Sequence, residues 1–276
     1  MPEPTPSNEP TPSDEPTPSD EDVPAREVRV VHVMGTVFSF DVRTPLTPEI
    51  DRALDAAEDW LRHVDAVFST YRPDSQISRL AAGTLTLDRC AGEVAEVLGL
   101  CAEVAEESGG RFTWTPDGRL DPSGMVKGWA AEAASDLLAE AGAADHCVNA
   151  GGDVQARGSA GPGQAWRIGL AHPFHRGDLM AVVTGTDIAV ATSGTAERGD
   201  HIVDPRTGRA ATGLVSLTLV GRHLTRVDAL ATAGFAMGAD ARDWVAGLPG
   251  IEAFAVTPDG HAWATPGFPA WTGDRT

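Results

Sequence analysis

A single lysine, Lys127, is the only one among 21 Lys and Arg residues. It sits in D-P-S-G-M-V-K-G (121–128), where Ser123 and two glycines introduce a helix whose second turn presents the ammonium. Free backbone amides at a helix start, with a compact cation beside them, suit an anion such as a diphosphate. Ser123 acting as a plain N-cap is the ligand-free alternative. A second constellation lies in T-R-V-D-A-L-A-T-A (225–233): Asp228 and Thr232 are four residues apart and share one helix face, offering a carboxylate and a hydroxyl to a hard cation such as magnesium. Thr225 followed three residues later by Asp228 also resembles a capping box, with Asp for the usual Glu. A third segment, S-G-T-A-E-R-G-D-H-I-V-D-P-R-T-G (193–208), crowds reactive side chains into a loop. There His201 could serve as a general base and Asp204 could orient it, or both could simply stabilise a turn. N-A-G-G-D (149–153) reads most simply as a hairpin turn whose glycines permit positive φ or a close backbone approach. Together the four suggest a diphosphate bound with a metal.

The elements that must position these groups follow from periodicity. VRVVHV and TVFSFDV flank Met34, Gly35 and Thr36 as two strand segments joined by a tight turn or bulge. Thr47 and Pro48 open a helix whose apolar residues, from Ile50 through Leu54, Ala57, Leu61 and Val64 to Phe68, recur at helical spacing. After a polar loop over 69–75 and a short turn carrying Ile77 and Leu80, helices are expected over 92–108 and from Ser123 to Gly142. Strand-like runs at 146–150, 154–157, 166–171, 179–184 and 188–192 have the rhythm of a meander. A strand over 216–220, a helix over 225–237 and a hairpin built from 254–257 and 261–264 complete the pattern. Because strands and helices are partly segregated, an α+β fold is expected rather than a doubly wound parallel sheet.

The first 25 residues are of a different kind. Residues 3–20 repeat EPTPSN or EPTPSD three times, with prolines that remove backbone donors and no large apolar side chain to offset the entropy of ordering. They are read as a disordered acidic tail (1–25) ahead of one compact catalytic unit (26–276). The net charge of −19 repels phosphate backbones and anionic lipid heads, which argues against nucleic-acid binding. No apolar run approaches the ~18 residues of a membrane helix, so no membrane insertion is expected. With neither a basic start nor an apolar h-region, the chain is expected in the cytoplasm. Cys90, Cys101 and Cys147 lack C-x-x-C spacing and read as reduced core residues.

Seven motifs in order carry a resemblance: M-G-T (34–36), S-T-Y-R-P-D-S-Q-I-S-R-L (69–80), D-P-S-G-M-V-K-G, N-A-G-G-D, T-S-G (192–194), H-I-V-D-P-R-T-G (201–208) and D-A-L-A-T (228–232). The chain resembles the ApbE family of FAD:protein FMN transferases from about Val28 to Gly238. The resemblance implies antiparallel sheets packed with helices in a T-fold-like arrangement. It also implies FAD as substrate, with FMN passing to a Thr or Ser hydroxyl of an acceptor flavoprotein and AMP released. It would place FAD against Met34, Tyr71, Phe112, Asp121, Lys127 and Ile202, and Mg²⁺ on the Gly124 carbonyl, Asp228 and Thr232. His201 is the candidate base for the acceptor proton, with Asp228 or a metal-bound hydroxide as the alternatives. A metal-dependent FAD pyrophosphatase and a non-catalytic FAD-binding protein are the alternative readings. The chain departs from the family pattern where Thr113 stands in place of an aspartate and G-R-F-T-W-T-P-D-G-R-L reaches Asp121 almost at once.

Overall fold

The structure, a computed structural model, describes residues 26–195, 199 and 202–273; the repeat tail over 1–25 and His201 lie outside the described residues. Eight strands form one antiparallel sheet: β1 (Glu27–Val33), β2 (Thr36–Val42), β3 (His146–Ala150), β4 (Asp153–Arg157), β7 (Ile188–Gly194), β10 (Ser216–Gly221), β11 (Glu252–Val256) and β12 (Ala262–Ala264), in that spatial order. Two hairpins stand outside it, β5 (Trp166–Ala171) with β6 (Leu179–Gly185), and β8 (Val203–Asp204) with β9 (Arg209–Ala210). The helices are α1 (Pro48–Phe68), α2 (Gln76–Ala81), α3 (Gly92–Glu107), α4 (Ser123–Glu140), α5 (Leu224–Met237) and α6 (Ala241–Ala246).

Local chemistry explains most boundaries. Thr47 caps α1 by accepting the Ile50 N–H at 3.3 Å, with Pro48 in the first turn, and Ile50, Leu54, Ala57, Leu61 and Val64 are buried as the spacing predicts. Met34 and Gly35, at φ 52° and 68°, make the β1–β2 turn. This is the positive-φ pair that two-residue hairpins favour because its twist matches that of the strands. Gly151 and Gly152, at φ 61° and 105°, do the same between β3 and β4. The two turns touch: Gly151 N–H donates to the Val37 carbonyl at 2.9 Å, and a Cβ on Gly151 would collide with the Thr36 hydroxyl.

The expected meander through β3–β7 is not what forms. β4 pairs directly with β7, and β5–β6 folds out as its own ribbon. Ala189 and Ala191 of β7 pack into the large helix-side core, whereas Val154, Ile188 and Val190 join Trp166 and Leu170 in a second cluster on the opposite face. The central strands are therefore covered on both faces. Removing apolar area from water on both sides, at roughly 25 cal/mol per Å², favours that layering over a flat one-sided sheet.

Helices α4 and α5 cross over the sheet at glycines. A Cβ on Gly128 would stand 2.7 Å from the Leu224 carbonyl oxygen and 2.8 Å from Asp228 Cβ, and one on Gly124 would stand 3.5 Å from Thr232 Cγ2. Only glycine lets the two backbones come this close, and their contact sets Asp228 and Thr232 against the first turn of α4.

Candidate active site

The start of α4 is capped differently from the expectation for Ser123. Pro122 is the N-cap, Ser123 is the first helical residue, and the Asp121 carboxylate accepts the Ser123 N–H at 3.0 Å and also the Ser123 hydroxyl. One turn on, Lys127 reaches two carboxylates. Its Nζ donates to Asp228 Oδ2 at 2.9 Å and pairs with Asp153 Oδ2. Both acids are 5% exposed, so they need such partners: an uncompensated buried charge is costly.

Asp153 is held by the sheet, accepting the Thr192 N–H of β7 at 2.9 Å. Asp228 is held by α4, accepting the Gly128 N–H at 3.0 Å. The capping-box reading of Thr225 and Asp228 is therefore overturned. His223 is the N-cap of α5 and makes no side-chain capping bond, its ring bonding Glu132 Oε1 at 2.7 Å instead, and the Thr225 N–H donates to Glu132 Oε2 at 2.8 Å, which frees Asp228 to face Lys127. The Gly128 N–H has a further consequence. Its ordinary helical acceptor is the Gly124 carbonyl four residues back, which shares or yields that donor and keeps acceptor capacity. Thr232 lies one turn beyond Asp228 on the same face of α5, its hydroxyl 3.5 Å from the Ser193 hydroxyl.

These groups line a cavity of about 680 Å³. Of the residues singled out from sequence, the structure brings Tyr71, Asp121, Gly124, Lys127, Ile202, Asp228 and Thr232 to its walls. Tyr71 stands at the rim, 96% exposed, on a loop tied down by Ser75 Oγ donating to the Ser69 carbonyl at 2.7 Å and by Arg119 donating to the Thr70 carbonyl at 3.1 Å. Met34 and Phe112 are placed elsewhere. Met34 forms the β1–β2 turn and packs on the core. Phe112 is buried beneath Gly124, where its ring would lie 3.3 Å from an added Cβ, so it supports the α4 start from behind. Asp204 accepts the Arg206 N–H at 2.9 Å in the β8–β9 turn, the stabilising role allowed for it.

Two residues of the site leave little trace in the sequence. Asp153 was visible only as the last letter of a turn motif; a carboxylate entering a strand of buried residues was the available signal. Arg111, which also lines the cavity, is 9% exposed and gave no signal of its own.

Buried acids, one ammonium, a hydroxyl and a helix start open on one cavity between an antiparallel sheet and two crossed helices. The chain belongs to the ApbE family, whose model matches residues 34–118 and 113–255. It is 32% identical over 220 residues to a FAD:protein FMN transferase of Rhodobacter capsulatus, covering 76% of this chain and 39% of that protein. It is 28% identical over 181 residues to the protein of that name from Salmonella typhimurium, covering 60% and 52% respectively. The chain thus spans roughly half, or less, of the length of these relatives. Its fold matches the solved flavin transferase ApbE of Vibrio cholerae with a TM-score of 0.77 at 21% identity, over 90% of this chain and all of that one. An ApbE protein from Thermotoga maritima matches with a TM-score of 0.80 at 23% identity, over 91% and all of that chain.

Proposed function

We propose that the chain is a Mg²⁺-dependent FAD:protein FMN transferase, moving FMN from FAD to a Thr or Ser hydroxyl of an acceptor flavoprotein and releasing AMP. The observation that carries this reading is the convergence of Lys127, Asp153, Asp228, Thr232 and Gly124 on one wall of the cavity, in a member of a family whose relatives bear that name.

The donor set fits magnesium. A carboxylate, a hydroxyl and a backbone carbonyl with spare acceptor capacity are all hard oxygen ligands, and a hard dication bridging to phosphates keeps few protein ligands. Asp228, Thr232 and the Gly124 carbonyl would hold the ion, which would supply charge neutralisation at the diphosphate. The local charge supports its need: Asp153 and Asp228 against Lys127 leave one net negative charge where an anionic substrate must sit, inside a chain of net charge −19.

The remaining work falls to the chain's own groups. Lys127 donates to a phosphate oxygen, and Asp121, accepting the Ser123 N–H and hydroxyl, fixes the first turn of α4 beside it. Tyr71, at the rim, offers a face on which a ring system can stack. The acceptor hydroxyl oxygen attacks the FMN phosphorus, the bond from that phosphorus to the AMP oxygen breaks, and AMP leaves with the electron pair. The hydroxyl proton passes to a base, with Asp228 and His201 as the candidates.

The test is incubation with FAD, Mg²⁺ and a candidate acceptor domain. The expected outcome is an acceptor carrying the mass of FMN, with AMP formed in equal amount. Free FMN with AMP and no adduct refutes transfer in favour of hydrolysis, and FAD bound without AMP release refutes turnover.

A further inference from the structure

Asp153 and Asp228 meet the same ammonium but are not equivalent. Both oxygens of Asp153 are spent within the protein: Oδ1 accepts the Thr192 N–H at 2.9 Å, and Oδ2 pairs with Lys127 Nζ. Asp228 takes its bonds on one oxygen, Oδ2 accepting from Lys127 Nζ at 2.9 Å and from the Gly128 N–H at 3.0 Å. Its Oδ1 has no hydrogen-bond partner among the described residues and is not sealed from solvent.

The fold explains the difference. Val154 packs on the far face of the sheet, so Asp153, one residue earlier on β4, turns to the helix side, as strand alternation requires. It is the sheet's contribution to a cluster whose other members, Lys127 and Asp228, stand on α4 and α5. The two carboxylates touch one ammonium and so lie within about 6 Å of each other, at about 2.7–2.9 Å for each charge-assisted bond. A dication on the open Oδ1 of Asp228 therefore repels the ammonium and draws the Asp228 charge to itself. Asp153, with both oxygens already bonded inside the protein, is the partner that Lys127 keeps.

We propose that Asp153 is the positioning residue for Lys127: it retains the ammonium on the sheet when a divalent cation takes Asp228, so that lysine and metal face the diphosphate side by side instead of competing for one carboxylate. This rests on the magnesium and FAD reading above and gives Asp153 a role within it. Asp153→Asn isolates that role. The amide oxygen can still accept the Thr192 N–H, but the NH₂ that replaces Oδ2 is a donor and cannot hold an ammonium. Asp228 is then the carboxylate left to Lys127, and a metal must displace the lysine from it.

Lys127 is the only lysine in the chain, so ¹³C-labelled lysine gives a single ε-methylene resonance. Its two protons are inequivalent while the ammonium is held and average when the side chain turns freely on the ps–ns scale. The full chain is titrated with Mg²⁺ alone, as wild type and as Asp153→Asn, and the melting temperature confirms that each is folded. The wild-type pair is expected to shift with Mg²⁺ and stay inequivalent throughout. In Asp153→Asn the pair is expected to be inequivalent without Mg²⁺ and to collapse with it. The Mg²⁺ midpoint is expected to rise about tenfold, the lower end of what an opposite charge within about 4–6 Å of a cation is worth. A wild-type pair that collapses with Mg²⁺ overturns the assignment. So does a pair that persists in Asp153→Asn at saturating Mg²⁺, or one already collapsed there without it. Asp228→Asn carries the test if Asp153→Asn does not fold: its pair is expected to stay inequivalent, held by Asp153 alone, and a collapsed pair there overturns the assignment too. A wild-type resonance that Mg²⁺ in millimolar excess does not move overturns the metal reading of Asp228, and this proposal with it.

Discussion

Replacing Gly128 by alanine adds one methyl group at the crossing of α4 and α5 and removes no polar group of the site, though the methyl would also press on Asp228 Oδ2 at 3.0 Å. The new Cβ would stand 2.7 Å from the Leu224 carbonyl oxygen and 2.8 Å from Asp228 Cβ, where ordinary contact begins at 3.4 Å. The nearest obstacle is backbone, so α5 must retreat by about 0.7 Å. Overpacking of this kind costs about 1–3 kcal/mol, which for a chain of this size lowers Tm by roughly 2–10 °C. The same displacement carries Asp228 away from Lys127 and from the first turn of α4. A misplacement near 1 Å in a reacting constellation costs on the order of a hundredfold in rate. Gly124→Ala is the matched control: its Cβ would meet the Phe112 ring at 3.3 Å and the Thr232 methyl at 3.5 Å, side chains that can give way, so its loss of Tm is expected to be the smaller. Thermal unfolding of both variants, with AMP release from FAD as the activity readout, checks the pair. A Gly128→Ala protein with wild-type Tm and wild-type AMP release would refute the claim that this crossing sets the site.

Lys127→Met should leave the Asp153 and Asp228 carboxylates buried without their shared cation, costing about 3–5 kcal/mol in urea unfolding. Lys127→Arg should not restore activity, because a planar fork cannot take the place of a point charge between two carboxylates; full AMP release by the Arg variant would contradict this. His146 is fully buried, donating through Nδ1 to the Ala143 carbonyl at 2.7 Å and accepting the Ser135 hydroxyl at Nε2, also at 2.7 Å. Burial holds its pKa below the ordinary imidazole value. The unfolded chain therefore takes up a proton that the folded one refuses, and stability should fall as pH drops below about 6.5. In His146→Gln that slope, measured by unfolding between about pH 5 and 7, should be shallower, and identical slopes would count against it. Burial pushes the Cys101 thiol up to about 12. Alkylation of the native protein near pH 8 should therefore spare Cys101 until unfolding exposes it, as peptide mass mapping can verify.

Much of the site was legible because its groups lie in short local patterns. Asp228 and Thr232 share a face through helical spacing alone, and the pairing of glycines with Lys127 in residues 121–128 marks a close approach at a helix start. What spacing could not show is which of two local roles a residue takes. Thr225 and Asp228 satisfy a capping pattern, and only the presence of Glu132 on a neighbouring helix, accepting the Thr225 N–H, frees Asp228 for the cavity. Asp153 joins the site because β4 pairs with β7, which brings the Thr192 N–H to its carboxylate. Register between strands more than 30 residues apart leaves no local trace.

By itself the sequence determined the elements, the family and the chemical types available, because periodicity, turn residues and motif order are properties of neighbours along the chain. The tertiary structure decided which charges meet. Burial and pairing depend on every layer packed around a group. That is why Lys127 came to stand between two acids and Phe112 came to lie behind Gly124.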